Sequence, residues 1–172
     1  MAGKSLIVYY SCVGNTEVVA KEFQKQTGFE IQKIEEKKER KLDNIMGSAA
    51  GAFFGFKSAL KPMDYSLNGF KNIFLGLQVW AGKTTPAINK YLSEGVFKDK
   101  KVWLFVTKAD SKVPQEVIDS VTRRIENKGG KVVDSISFTK AWDPKKNEVL
   151  SVDEVKDSVS EWLASQKNVI LV

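Results

Sequence analysis

The 172-residue sequence has no histidine and a single cysteine, Cys12. The missing histidine removes the commonest general base, and with it the serine–histidine hydrolases and most zinc sites. One cysteine excludes a disulfide within the chain and leaves a reducing cytoplasm as the expected compartment. Arginine is scarce: of 27 basic residues only Arg40, Arg123 and Arg124 carry a guanidinium. Readers of base edges depend on that planar fork, so lysine dominance argues against specific nucleic-acid recognition. Arg123 and Arg124 fall on a helical pattern and read as part of its solvent face. No apolar run reaches the ~18 residues of a membrane span. Lys4 interrupts the apolar stretch that a secretory signal requires, so none is expected. Repeats and low-complexity tracts are also missing.

What is there is an ordinary globular composition, 42% apolar, with net charge +6 from 27 Lys+Arg against 21 Asp+Glu. Residues 1–172 are expected to form one domain, long enough to bury a core without metals or disulfides. The positive balance reads as a lysine-rich solvated surface, or as attraction for an anionic ligand or acidic partner.

Strand-like apolar runs alternate with helical patterns. The strands are expected at Ser5–Tyr10, Glu30–Ile34, Asn72–Leu77, Lys101–Thr107 and Lys131–Phe138. Their near-continuous apolar character is that of strands covered on both faces. A first helix is expected from Thr16 to Gln26, with Gly28 beyond its end. A second has Thr85 as cap, Pro86 in its first turn and Gly95 at its end. A third opens at Pro114 and stops before Gly129–Gly130. The last opens on Ser151–Val152–Asp153–Glu154, a capping-box pattern. This alternation predicts an α/β fold, a parallel sheet doubly wound by helices on both faces. Between the second and third strands lies a longer segment. It begins with the mixed charge run Glu35–Lys41 and continues into Gly47–Leu60, where Phe53, Phe56 and Leu60 have approximate helical spacing. A helix packed on the sheet or along a ligand edge is expected there.

Ligands of such sheets bind beyond the carboxyl ends of the strands. Three loops leave those ends. The first, Ser11–Cys12–Val13–Gly14–Asn15–Thr16, joins an apolar strand to a helix start, where amides have no partner inside the helix and carry partial positive charge. Gly14 lets the backbone bend close to an anion, and Ser11 and Thr16 add hydroxyls. The loop holds no Gly-Lys-Ser/Thr triplet and has one glycine where a dinucleotide fingerprint has three. Phosphate binding and an ordinary strand-to-helix turn both remain open. The second loop follows Gln78 and Val79 with Trp80, Ala81 and Gly82. Trp80 can cap the core, or it can form a wall for a flat ring. The third, with Thr107, Lys108 and Ala109, could line a pocket edge or lie solvated. Cys12, beside helix-start amides, is open to a lowered thiol pKa or to a plain space-filling role. Trp142–Asp143–Pro144 reads as a turn that can lean over the sheet's carboxyl edge.

The stretch Ile7–Glu17 resembles the opening strand and FMN-phosphate loop of flavodoxins. Phe74–Gly82 resembles their third strand and its following loop, and Pro86–Leu92 their next helix. Gly51–Leu60 with Lys61–Pro62 is similar to an insertion in one flavodoxin-like branch. The resemblance implies a five-stranded sheet of order 2-1-3-4-5 in a three-layer α/β/α sandwich. It further implies FMN as cofactor, its phosphate on Ser11–Thr16 and its ring between Gln78–Thr84 and Thr107–Ser111. Trp80 would stack on the ring, with the Ala81 and Gly82 amides near its reactive edge. Electron transfer, or reduction of a small acceptor at the expense of NAD(P)H, is the implied activity. A redox partner protein or a small-molecule acceptor is the implied partner. Three departures bear on this. Val13 replaces a hydroxyl residue, and one lost hydrogen bond to a charged group is worth about 1–2 kcal/mol. The third loop lacks glycine. The isoelectric point is near 9.3, whereas electron-carrying flavodoxins are generally acidic. The first two motivate a second reading, a flavodoxin-fold binding or scaffold protein that has lost the flavin; the third bears on the redox partners more than on the flavin.

Overall fold

The structure, a computed structural model, describes residues 3–38, 40, 54–112, 114–141, 143, 145–146 and 148–170. Five parallel strands run through it: β1 (Lys4–Tyr9), β2 (Glu30–Lys33), β3 (Phe70–Trp80), β5 (Lys101–Lys108) and β6 (Lys131–Thr139). They lie in the spatial order β2-β1-β3-β5-β6, the order the resemblance implies. A sixth strand, β4 (Lys83–Thr84), pairs antiparallel with the end of β3. The helices are α1 (Asn15–Thr27), α2 (Pro86–Glu94), α3 (Gln115–Glu126) and α4 (Val152–Ile170).

Side-chain alternation along each strand divides the core in two. Leu6, Val8 and Tyr10 of the first strand and its end, with Val102, Leu104 and Val106 of β5, face α2 and α3. Ile7, Tyr9, Trp103 and Phe105 face α1 and α4. The result is a three-layer α/β/α sandwich with both sheet faces covered. Gly76 on β3 makes room for this packing, because a Cβ there would run into the Phe105 ring and the Cβ of Tyr9.

Helix ends follow the sequence signals. Thr85 caps α2, its Oγ1 accepting from Ile88 N–H at 3.4 Å, with Pro86 in the first turn. Ser151 and Glu154 form a reciprocal capping box at α4, at 2.7 Å and 3.3 Å. The long segment departs from expectation. Phe54–Leu60 is a turn followed by extended chain, not helix. Lys37 N–H donates to Ala59 O and Lys61 N–H to Glu35 O, so it pairs as a short antiparallel bridge. Residues 41–53, including Phe53, lie outside the described residues, as do Trp142 and Pro144.

Candidate functional site

The carboxyl edges of β1, β3 and β5 bring the three candidate loops together. At the first, the chain leaves β1 through Tyr10, whose N–H donates to Gly76 O at 3.1 Å. Gly14 adopts φ 107°, a conformation strained for any residue with a side chain, and α1 begins at the next residue. Val18 N–H makes the first helical bond, to Gly14 O at 3.0 Å. Among the described residues, the amides of Val13, Asn15, Thr16 and Glu17 find no acceptor. Those of a helix's first turn point back along its axis toward an incoming anion.

The side chains of this loop divide between bracing and donation. Ser11 Oγ accepts from Gly14 N–H at 3.1 Å, which leaves its own proton to give. Cys12 N–H is taken by Gln78 Oε1 at 2.7 Å, tying the first loop to β3. Thr16 Oγ1 is fully buried 2.7 Å from Thr107 Oγ1, which ties the start of α1 to the end of β5. The threonine expected as a phosphate donor thus joins two loops. Asn15 Oδ1 accepts from Leu150 N–H at 2.8 Å. Val149 Cγ1 lies 3.3 Å from where a Cβ on residue 14 would stand. The connection from β6 to α4 therefore roofs the loop through Val149 and Leu150, a contact the sequence reading did not anticipate. Burial, reinforced by the charge of Glu36, pushes the Cys12 thiol up rather than down.

The second candidate loop is a hairpin. Gln78 and Val79 belong to β3, and Trp80 pairs with Lys83 across a turn of two residues, Ala81 and Gly82. Their φ values, 47° and 70°, are both positive, as a primed hairpin turn requires. Gly82–Lys83–Thr84 spells the Gly-Lys-Thr of a phosphate loop, but it forms this turn and strand, not the start of a helix. Trp80 is half-buried and meets Tyr10 edge-on, with ring centroids 6.4 Å apart. At the third loop, Thr107 and Lys108 are the last residues of β5, and Ala109 is exposed beyond them. Lys108 Nζ donates to Asp110 O at 2.6 Å and Thr139 Oγ1 at 2.7 Å, so its ammonium serves the loop itself.

Beside these loops lies a cleft of about 180 Å³ lined by Tyr10, Ser11, Cys12, residues 33–36 and Arg40. Tyr10 Oη donates to the buried Glu36 carboxylate at 2.6 Å. Arg40 grips the same carboxylate through Nε and Nη2, both at 2.9 Å. It also reaches Ser58 Oγ at 3.0 Å. Its Cζ stands 5.4 Å from the centroid of the Trp80 ring. Burial and the bond to Glu36 push the Tyr10 phenol far above its ordinary range. The charge run Glu35–Lys41 hid this cluster. Its one available signal was an arginine four residues after a glutamate in a chain otherwise served by lysine. Arg124 is not part of a free solvent face, since its guanidinium donates to Asn89 Oδ1 at 2.7 Å and Asn89 O at 3.0 Å.

Solved structures share this architecture. A candidate flavoprotein from Bacteroides uniformis ATCC 8492 superposes with a TM-score of 0.76 at 19% identity, covering 95% of this chain and 99% of that one. The flavodoxin, WrbA-like protein from Agrobacterium tumefaciens gives 0.64 at 14% identity, covering 98% and 97%. A flavoprotein in complex with FMN from Lactobacillus acidophilus NCFM gives 0.61 at 21% identity, covering 79% and 93%. No protein-family model matches the sequence, and no curated protein matches it. At these identities the likeness establishes architecture: the chain has the flavodoxin-like fold.

Proposed function

We propose that this chain, as one domain, binds FMN and works as a flavodoxin-like redox protein. The observation that carries the reading is the β1–α1 loop. It presents the unpaired amides of Val13, Asn15, Thr16 and Glu17 around a glycine at φ 107°, roofed by Val149 where a side chain would intrude. A phosphate suits those donors, and a flat ring suits the adjoining space between Trp80 and the Thr107–Ala109 turn. The FMN complex of the similarly folded Lactobacillus protein supports the same assignment.

In this reading Ser11 and the free amides hold the phosphate, and backbone donors compensate for the hydroxyl that Val13 lacks. Gln78 fixes the loop from β3, and Thr107 fixes the start of α1. Trp80 orients the ring, and the amides of Ala81 and Gly82 meet its reactive edge. The bound flavin supplies the redox chemistry; the protein supplies binding, orientation and electrostatics. The partner is a redox protein or a small acceptor such as a quinone, with NAD(P)H as the reductant in the second case. The cytoplasm is the compartment in which one lone thiol and this chemistry fit best. Among the described residues no helix is long and apolar enough to cross a membrane.

Titration of the purified apo-protein with FMN tests the cofactor. Quenching of flavin fluorescence at micromolar concentration is expected. No quenching overturns the reading in favour of a fold that has lost its flavin, the alternative that Val13 and the buried Thr16 hydroxyl favour. Anaerobic addition of NAD(P)H to the loaded protein then separates a reductase, which bleaches, from a carrier, which does not.

A further inference from the structure

The strand order places Tyr10 and Glu36, which follow β1 and β2, on one side of β3. Thr107, near the end of β5, lies on the other. Trp80 stands between them at the end of β3. Arg40 belongs to the β2 side: it is locked to Glu36 by two nitrogens and to Ser58 by one, and Glu36 is locked to Tyr10. Its guanidinium meets Trp80 from that side at 5.4 Å, with the Trp80 edge to Tyr10 closing the cluster. Among the described ion pairs, this is the one whose carboxylate is nearly sealed from water, 6% exposed. The other charged groups facing the cleft, Lys33 and Glu35, are paired with Glu17 and Lys61 in open solvent. A planar cation over an indole is attracted to the ring face and holds that ring in place.

We propose that Glu36 and Arg40 are positioning residues for the flavin: Arg40 backs Trp80 from the β2 side, and the balanced pair sets the reduction potential of the flavin that Trp80 would hold. The inference rests on the FMN reading above. Two-electron reduction of oxidised flavin takes up two electrons and one proton and leaves one negative charge on the ring. Fixed charges in a water-poor site act on that charge directly. Removing the cation therefore disfavours the reduced state, and removing the anion favours it.

The experiment compares the native chain with R40M, E36Q, E36Q/R40M and R40K. For each, the FMN dissociation constant is measured by fluorescence quenching. The two-electron midpoint potential is measured by dithionite titration against a reference dye, and the melting temperature of the apo-protein is recorded. R40M is expected to lower the potential and E36Q to raise it, and the double variant to return it toward the native value. R40K keeps the charge but loses the planar fork, so its potential stays near native while FMN binds about three- to tenfold more weakly. A purely structural role for the pair gives a different pattern. Both single variants then shift the potential in the same direction or not at all, and that result overturns the inference while leaving FMN binding intact. Should R40M and E36Q fail to fold, R40K decides: unchanged FMN affinity overturns the inference. A native chain that binds no FMN overturns this inference and the functional reading together.

Discussion

At the residue scale, the candidate site depends on a few side chains whose removal has separable effects. Trp80→Ala is expected to weaken FMN binding by about three- to tenfold, the worth of one aromatic stacking contact. The melting temperature should move little, because Trp80 is half-buried at the sheet's edge. Fluorescence titration checks the first effect and a thermal melt the second; unchanged affinity removes Trp80 from the site. Gly14→Ala couples stability to binding. Its φ of 107° costs a side-chain-bearing residue about 1–3 kcal/mol, and the added methyl presses on Val149. Denaturant unfolding should show that loss, with FMN affinity falling alongside it. Gly14, Ser11 and Trp80 were legible as candidates because each is a local signal: backbone freedom, a hydroxyl, an aromatic at a strand end. Arg40 and Val149 were not, because they approach from 26 to 135 residues away through partners such as Tyr10–Glu36 and Asn15–Leu150. A charge run and a loop valine carry no trace of such partners in their own neighbourhoods.

At the scale of elements, the strands and helices were readable to within a few residues, since continuous apolar runs, caps and capping boxes are local. The misreadings fall where two segments decide jointly. Phe53, Phe56 and Leu60 suggested a helix by spacing. After a turn at residues 54–55 the chain is extended instead, because Glu35 and Lys37 supply a backbone to pair with. Likewise the turn after β3 read as an open loop, whereas Trp80 and Lys83 pair across it. That hairpin offers its own test. Ala81 sits at φ 47°, a left-handed conformation that Asn adopts more readily and that a primed turn favours in Asn-Gly form. Ala81→Asn is expected to stabilise the protein by about 0.5–1 kcal/mol in denaturant unfolding. A neutral or destabilising result would mean that the turn's strain is relieved elsewhere.

At the scale of the whole molecule, the basic balance is partly structural. Lys100, Lys108 and Lys128 each donate to two oxygens of the chain, all but one of them backbone carbonyls. These cations brace loops and helix ends, so the net charge overstates what is offered to an anionic partner. The titration behaviour also belongs to this scale. With no histidine, stability is expected to be flat from about pH 5 to pH 8. On the acid side, hydrogen bonds from Lys21 and Lys33 hold Glu17 below its ordinary value of 4.5. Its contribution is complete above that value and disappears as pH falls through the lowered folded value. On the alkaline side, burial and the charge of Glu17 push Tyr9 from 10.0 up to about 12. Its contribution is complete below pH 10 and is lost as pH rises toward about 12. Tyr10 and Tyr91 are raised in the same direction. Denaturant midpoints across the pH range should trace a plateau with two shoulders; a sharp change near neutrality would contradict it.

The bond from Leu150 to Asn15 has a consequence for biosynthesis. The β1–α1 loop is completed by a connection 135 residues further along the chain, so a nascent chain halted before residue 149 carries the unpaired amides of that loop without the roof over them. On the FMN reading, cofactor capture would wait until the β6–α4 connection has docked, with the flavin closing over a sheet already assembled rather than guiding an emerging one.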